Sequence, residues 1–465
     1  MSTRTERDTL GEVQVPAEAL WGAQTQRAML NFPISGLHAF PAFIRATARV
    51  KRAAALANAR SGRLATDLCD AIVAACDDVI AGRHDDQFVV DVFQAGAGTS
   101  HNMNANEVIA NLAEERLGGK RGAYAKVNPN DHVNMAQSTN DVTPTAIRLA
   151  LLELTTPLCD ELDLLAGVLD RKAKEYAGTV KPGRTHLQDA VPLTFGQEFG
   201  GWATRLRSTA ARIRAGRVEL CELGIGGTAA GTGLNADPEY RARVCALLAE
   251  WTGDPIVPAT DLFASMQSTA AFVRISSGMR TAAIELSSIA NDIRLMVSGP
   301  RTSFGELIIP AVQPGSSIMP GKINPSIAEM MDQVCYQVIG NDTTVMLGAQ
   351  AGQLELNVMM PGMNFALELS ATILTSATRV FRERCIEGMR VDEARAKELL
   401  DASPSLLVTA LAPHIGYARS AALVKRALAE KRPLLDVALE EQVMPEADLR
   451  RVLDPLPMTK GGVQA

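Results

Sequence analysis

The chain has 465 residues, 47% of them hydrophobic, so it can bury a large core and is long enough for an enzyme subunit of two or three domains. Its 46 basic and 52 acidic residues give a net charge of -6, and no run of lysine and arginine is long enough to track a phosphate backbone, which argues against nucleic acid as a partner. The polar opening MSTRTERDTLGEVQVP and the lack of a bilayer-length apolar run argue against a leader and a membrane span, so a soluble, cytoplasmic protein is expected.

Aromatic residues make up only 4% while alanine and leucine abound, a balance that favours close-packed helices over sandwiches and barrels. A mainly all-α fold is expected. The seven cysteines are scattered without a C-x-x-C pair, so they read as buried thiols in a reducing compartment.

In chain order, the first helical signals are FPAFIRATARVKRAAALANA (40–59) and ATDLCDAIVAACDDVIAG (65–82), inside an expected N-terminal domain of residues 1–140. GAGTSH (96–101) holds two glycines of a dinucleotide fingerprint, but a histidine takes the third place and no βαβ alternation surrounds it. It reads as a tight turn.

Residues 141–390 form the expected central domain, a bundle of long helices. Ile147, Leu151, Leu154, Leu158, Leu162, Leu165 and Leu169 share one helical stripe, with Thr143 and Pro144 as an N-cap and N1 pair and Pro157 expected to kink it. A second stripe, Trp202, Leu206, Ala210, Ile213 and Leu220, follows a turn placed at Gly196. A third runs Ile275, Met279, Ala282, Leu286, Ile289, Ile293, Met296. Helices this long need partners of matching length, so assembly of identical subunits into a larger helical core is expected. Residues 391–465 form a smaller C-terminal helical domain.

Between these elements lie polar, glycine-rich segments: QAGAGTSHNMNANE (94–107), KVNPNDHVNMAQSTND (126–141), KPGRTHLQDAVP (181–192) and GIGGTAAGTGLN (224–235). They read as loops that present polar side chains at the ends of rigid elements. None of the six histidines forms a metal-binding pair, so no metal site is expected. His186 in GRTHLQDA fits either a structural hydrogen bond or a role in a site.

The stretch GSSIMPGKINPS (315–326) also has two readings. As a solvated surface loop, its serines and lysine only keep it soluble. As a site, its glycine-led backbone and Lys322 form a cradle for a carboxylate, with Ile318 and Met319 packed as its centre and a serine able to act as nucleophile or base.

GSSIMPGKINP resembles the signature loop of the fumarase/aspartase superfamily, Gly-Ser-Ser-x-x-x-x-Lys-x-Asn. The resemblance extends through LWGAQTQRA (20–28), GAGTS, NMNANEV (102–108), NPNDHVN, QSTND, GRTHLQDAVPLTFGQE, GTGLN and IGNDTTV. It implies a long central helical bundle with smaller N- and C-terminal helical domains, built as a homotetramer whose sites each draw on three subunits. It also implies elimination from a small dicarboxylate to give fumarate, with no organic cofactor; activation by a divalent cation stays open.

By this resemblance Ser316 is the base, Ser317 offers its backbone N–H, and Lys322 and Asn324 hold a substrate carboxylate. Thr99, Ser138, Thr139, Asn140 and Thr185 line the site. His186 matches a histidine that a glutamate backs in water-releasing members, and Glu329 aligns with that glutamate, although it also reads as an ordinary helix-face charge. GAGTS, STND, NPNDHVN and QAGQLELNVMMP resemble members that release ammonia, whereas LWGAQTQRA resembles those that release water. A third reading is an inactive helical scaffold.

Overall fold

The computed structural model describes residues 2–463, and they are mostly helical, as expected. An antiparallel hairpin, β1 (Thr3–Asp8) and β2 (Gly11–Pro16), comes first. Helices α1 (Ala23–Asn31), α2 (Pro41–Arg60), α3 (Thr66–Ile80) and α4 (Thr99–Arg116) follow. The long helix α5 (Thr139–Glu175) leads into a second hairpin, β3 (Val180–Thr185) and β4 (Gln188–Thr194), and then α6 (Phe195–Leu220). Two-residue strands β5 (Glu222–Leu223) and β6 (Val257–Pro258) pair in parallel around α7 (Tyr240–Thr252). After α8 (Leu262–Gln267) come α9 (Ala270–Met296), β7 (Leu307–Ile308), α10 (Ser326–Gln350) and α11 (Met360–Phe381). Strand β8 (Arg390–Val391) pairs with β7, and short helices from Glu393 to Met458 complete the chain.

The described chain divides into two compact units. The first holds the residues up to Cys159 with Thr209–Ala283 and Tyr336–Thr375; the second holds Asp160–Ser208, Ile284–Cys335 and the chain from Ser376 onward. The boundaries fall inside α5, α6, α9, α10 and α11. In the first unit Ile44, Ala48, Ile72, Val79, Val108, Ile109 and Leu112 form a core between α2, α3 and α4. In the second, Leu411, Leu423, Leu434, Val437, Leu449 and Val452 form a core of the C-terminal helices.

All three predicted stripes are helical, and their positions are buried except for the half-buried Leu154. Three local expectations are corrected. Helix α5 starts at Thr139 rather than after Thr143, and Pro144 and Pro157 both lie within it. A capping box explains the earlier start: Ser138 Oγ accepts the Asn140 N–H, while the Asp141 carboxylate accepts the Ser138 N–H at 2.9 Å. Gly196 is no turn but the second residue of α6, where a Cβ would meet the Ala173 carbonyl oxygen at 2.5 Å. Finally, most of 94–107 is helix, not loop, and its side chains from Ser100 to Glu114 are buried. The seven cysteines are all buried, and none forms a disulfide among the described residues.

Candidate active site

The loop before α10 is closed on itself. Gly315 N–H donates to the Lys322 carbonyl at 2.8 Å, and Asn324 Nδ2 donates to the Gly315 carbonyl at 2.7 Å. A Cβ at position 315 would lie 2.5 Å from the Lys322 oxygen, so only glycine allows this closure. Inside the ring, Ser316 Oγ accepts the backbone N–H groups of Ile318 at 3.2 Å and Met319 at 2.9 Å. Two dipoles therefore point their positive ends at one hydroxyl oxygen. The expected packed centre is absent, since Ile318 is 83% exposed and Met319 48%. Backbone hydrogen bonds, not an apolar core, shape the loop.

Ser316 and Asn324 are half-buried, while Ser317 and Lys322 are exposed. Lys322, Asn324 and Glu329 line a cavity of about 730 Å³ with Asn291, Arg294 and Ile309. Glu329 sits in the first turn of α10, where a carboxylate complements the helix dipole.

His186 and Leu187 form the two-residue turn of the β3–β4 hairpin. Their φ angles are 57° and 58°, the left-handed pair that a type I′ turn requires. Neither residue is glycine or asparagine, the usual choices there. The tip is exposed and carries Thr185 on its leading side. Within one chain His186 and Glu329 do not pair.

The base of this hairpin is an ion cluster. Lys181 Nζ lies 2.8 Å from Glu198 and 3.1 Å from Glu306, and Arg184 binds Glu306 at 2.9 Å. Glu306 is fully buried one residue before β7, the strand that leads toward the Ser316 loop.

In the first unit, Thr99 begins α4 and is exposed, raised on Gly98 at φ 86°. Ser138, Thr139 and Asn140 are half-buried at the start of α5, and Asn140 Nδ2 donates to the Ala229 carbonyl at 2.7 Å. Beneath them, Asp141 is buried and accepts the N–H groups of Gly226 and Thr228 at 3.0 and 2.9 Å. Burial pushes its carboxyl up to about 6 against these bonds.

Sequence reading assigned no role to the residues under Thr139. Asn102 Nδ2 donates to Thr139 Oγ1 at 3.1 Å, and Lys51 Nζ, with no exposed surface, donates to Asn102 Oδ1 at 2.7 Å and Asn134 Oδ1 at 2.9 Å. Burial pulls the Lys51 ammonium down to about 7, with Asp141 acting the other way. His101 is also structural: it stacks on Phe43 at 4.3 Å and meets Thr47 Oγ1 at 3.1 Å, and burial lowers it to about 3. The one available signal was the asparagine-rich NMNAN (102–106), with Lys51 standing in the alanine-rich FIRATARVKRAAALANA (43–59).

Two shared motifs are structural as well. Glu107, from NMNANEV, accepts the N–H groups of Gly22, Gln24 and Thr25 and the Thr25 hydroxyl, which pins LWGAQTQRA to α4. Among the described residues no group of three or more His, Cys, Asp and Glu is disposed to hold a metal ion.

The family described as Lyase matches residues 11–340, and the one described as Fumarase C C-terminus matches 407–460. The aspartate ammonia-lyase of Bacillus subtilis is 46% identical over 99% of this chain and 97% of its own length. A class II fumarate hydratase of Ralstonia nicotianae is 48% identical over 94% of this chain and 95% of its own. The crystal structure of a fumarate lyase:delta crystallin from Brucella melitensis bound to cobalt superposes with a TM-score of 0.95 at 47% identity, covering 98% of this chain and all of that one. With the helical architecture and the closed GSS loop in place, these likenesses show that the chain belongs to the fumarase/aspartase superfamily of lyases.

Proposed function

We propose that this chain catalyses the reversible deamination of L-aspartate to fumarate and ammonia. The observation that carries the reading is the pair of backbone N–H groups on Ser316 Oγ, in a loop that also presents Lys322 and Asn324. A serine hydroxyl is ordinarily too weak an acid to supply a base at neutral pH. Donors fixed on its oxygen, with a lysine on the same loop, favour the alkoxide.

In the proposed step the Ser316 alkoxide takes a proton from the carbon next to one substrate carboxylate. The C–H electron pair moves into that carboxylate, giving a doubly charged aci-carboxylate, which the Ser317 N–H and neighbouring hydroxyl groups stabilise. The C–N bond then breaks, its electrons leave on neutral ammonia, and the pair held in the aci-carboxylate closes the double bond of fumarate. Ser316 passes its proton to solvent. Lys322 and Asn324 hold the second carboxylate, while Thr99, Ser138, Thr139, Asn140 and Thr185 line the site.

An ammonium departs without further protonation, so this chemistry asks no proton of His186. The aspartate ammonia-lyase of Bacillus subtilis, similar over 99% of the chain, supports the choice of leaving group. The proposed step calls on no cofactor. A second reading, elimination of water from L-malate to give fumarate, has support from the Ralstonia nicotianae relative, and there a His186–Glu329 pair assembled between subunits would protonate the departing hydroxide.

We also propose a homotetramer with sites shared by three subunits, in the cytoplasm. Exposed apolar side chains on the long helices, Leu164, Val218, Ile284 and Leu347, support the assembly. Among the described residues, no helix is long and apolar enough to cross a membrane. Following fumarate absorbance with L-aspartate and with L-malate as separate sole substrates tests the reaction. Turnover of malate alone would reverse the assignment.

A further inference from the structure

Lys51 is the unusual feature of the first unit: a lysine without exposed surface whose hydrogen-bond acceptors are two neutral amides. A buried ammonium ordinarily requires a counter-ion or a task, because removing it from water is costly. No ion pair joins it to a carboxylate among the described residues. Its partners lead in one direction. Because Lys51 Nζ donates to Asn102 Oδ1, the Asn102 amide lies with Oδ1 toward Lys51 and Nδ2 outward. That Nδ2 donates to Thr139 Oγ1 at 3.1 Å and more weakly to Asn134 Oδ1 at 3.3 Å. Asn134 Oδ1, the second acceptor of Lys51, also takes the Asn106 Nδ2 at 3.2 Å, so each amide has its orientation set.

We propose that Lys51 and Asn102 are positioning residues that set the direction of the Thr139 hydroxyl: with its oxygen already accepting from Asn102, Thr139 turns its hydrogen toward the substrate carboxylate. The inference rests on the reading of Thr139 as a substrate ligand. The relay is Lys51 Nζ–H to Asn102 Oδ1, Asn102 Nδ2–H to Thr139 Oγ1, and Thr139 O–H to the anion. It aligns three donors from the interior outward, an arrangement worth more in a dry site than in water. It also explains why Asn102 is polar yet buried.

Asn102→Asp separates this role from a merely structural one. The substitution keeps shape and gives Lys51 a carboxylate partner, so thermal stability should hold or rise. An aspartate cannot donate to Thr139 Oγ1, so the hydroxyl must turn inward and donate to it. The expected result is at least a tenfold rise in KM for L-aspartate and in the inhibition constant of succinate, with kcat changed less. Thr139→Val should show the same loss, and the double variant should be no worse than either single one, whereas charge repulsion from the introduced carboxylate would add to the Thr139→Val effect. Lys51→Met, if it folds, should share the KM phenotype. Succinate binding in Asn102→Asp equal to that of the parent, or additive losses in the double variant, would overturn the relay. An inert Thr139→Val would instead overturn Thr139 as a ligand.

Discussion

The Glu306 carboxylate holds the Arg184 guanidinium through two hydrogen bonds, 2.9 and 3.3 Å long, directly before Thr185 and the His186 turn. The same carboxylate binds Lys181, so one buried anion fastens both cations of strand β3. Removing one partner of a buried ion pair leaves a charge without its carboxylate, here Arg184, while Lys181 keeps Glu198, and such a loss costs about 3–5 kcal/mol. Glu306→Gln is expected to lower stability in that range by denaturant unfolding, whereas a surface pair would cost about 1 kcal/mol or less. A loss of surface-pair size would show that the cluster does not anchor the hairpin.

Ser316 makes its side-chain bonds only within an exposed loop. Ser316→Ala should therefore change stability by less than about 0.5 kcal/mol, while the rate with L-aspartate falls by at least the ~10²–10⁴ that a positioned base supplies. Retention of most activity would remove the serine from its assigned role.

Gly315 tests whether loop closure, rather than the serine alone, matters. The Cβ of an alanine would meet the Lys322 oxygen at 2.5 Å and the Asn324 nitrogen at 2.7 Å, both backbone atoms that cannot swing aside. Gly315→Ala should displace Ser316 and cost on the order of 10²-fold in kcat, with the melting temperature nearly unchanged. Parent-like kinetics would mean the ring is dispensable.

Glu368 of α11 is fully buried, and burial holds its pKa well above the usual carboxyl value of 4.5, with Asn364 offsetting only part of this. A carboxyl with a raised folded pKa favours folding below its unfolded pKa and loses that contribution as pH rises toward the folded one. Above pH 4.5, then, Glu368 should erode stability by up to roughly 1.4 kcal/mol per pH unit, and Glu368→Gln should flatten that slope. Parallel stability–pH curves for parent and variant between pH 5 and 8 would contradict this.

Long apolar spacing made α5, α6 and α9 legible, because five to seven buried positions repeat over each helix. Helix α4 was not, since Asn102, Asn104, Asn106 and Glu107 give it the composition of a loop. Those groups are buried because they bond Lys51, Asn134, Val89 and the start of α1, a long-range arrangement that local composition does not carry. The His186 turn escaped for the opposite reason: strand register forces left-handed backbone on two residues without the usual turn chemistry. Ser316, Lys322 and Asn324 were picked out by the resemblance of their loop to the superfamily's signature, but the two N–H groups on the serine oxygen come from Ile318 and Met319, whose side chains say nothing of it.

Because the Gly315 amide and the Lys322 carbonyl clasp the segment shut, its serine, lysine and asparagine travel as one piece. In the roles proposed for them, a disturbance that withdraws the proton acceptor withdraws the carboxylate clamp along with it. Half-armed arrangements, able to strip a proton from a loosely held guest, are thereby kept out of reach.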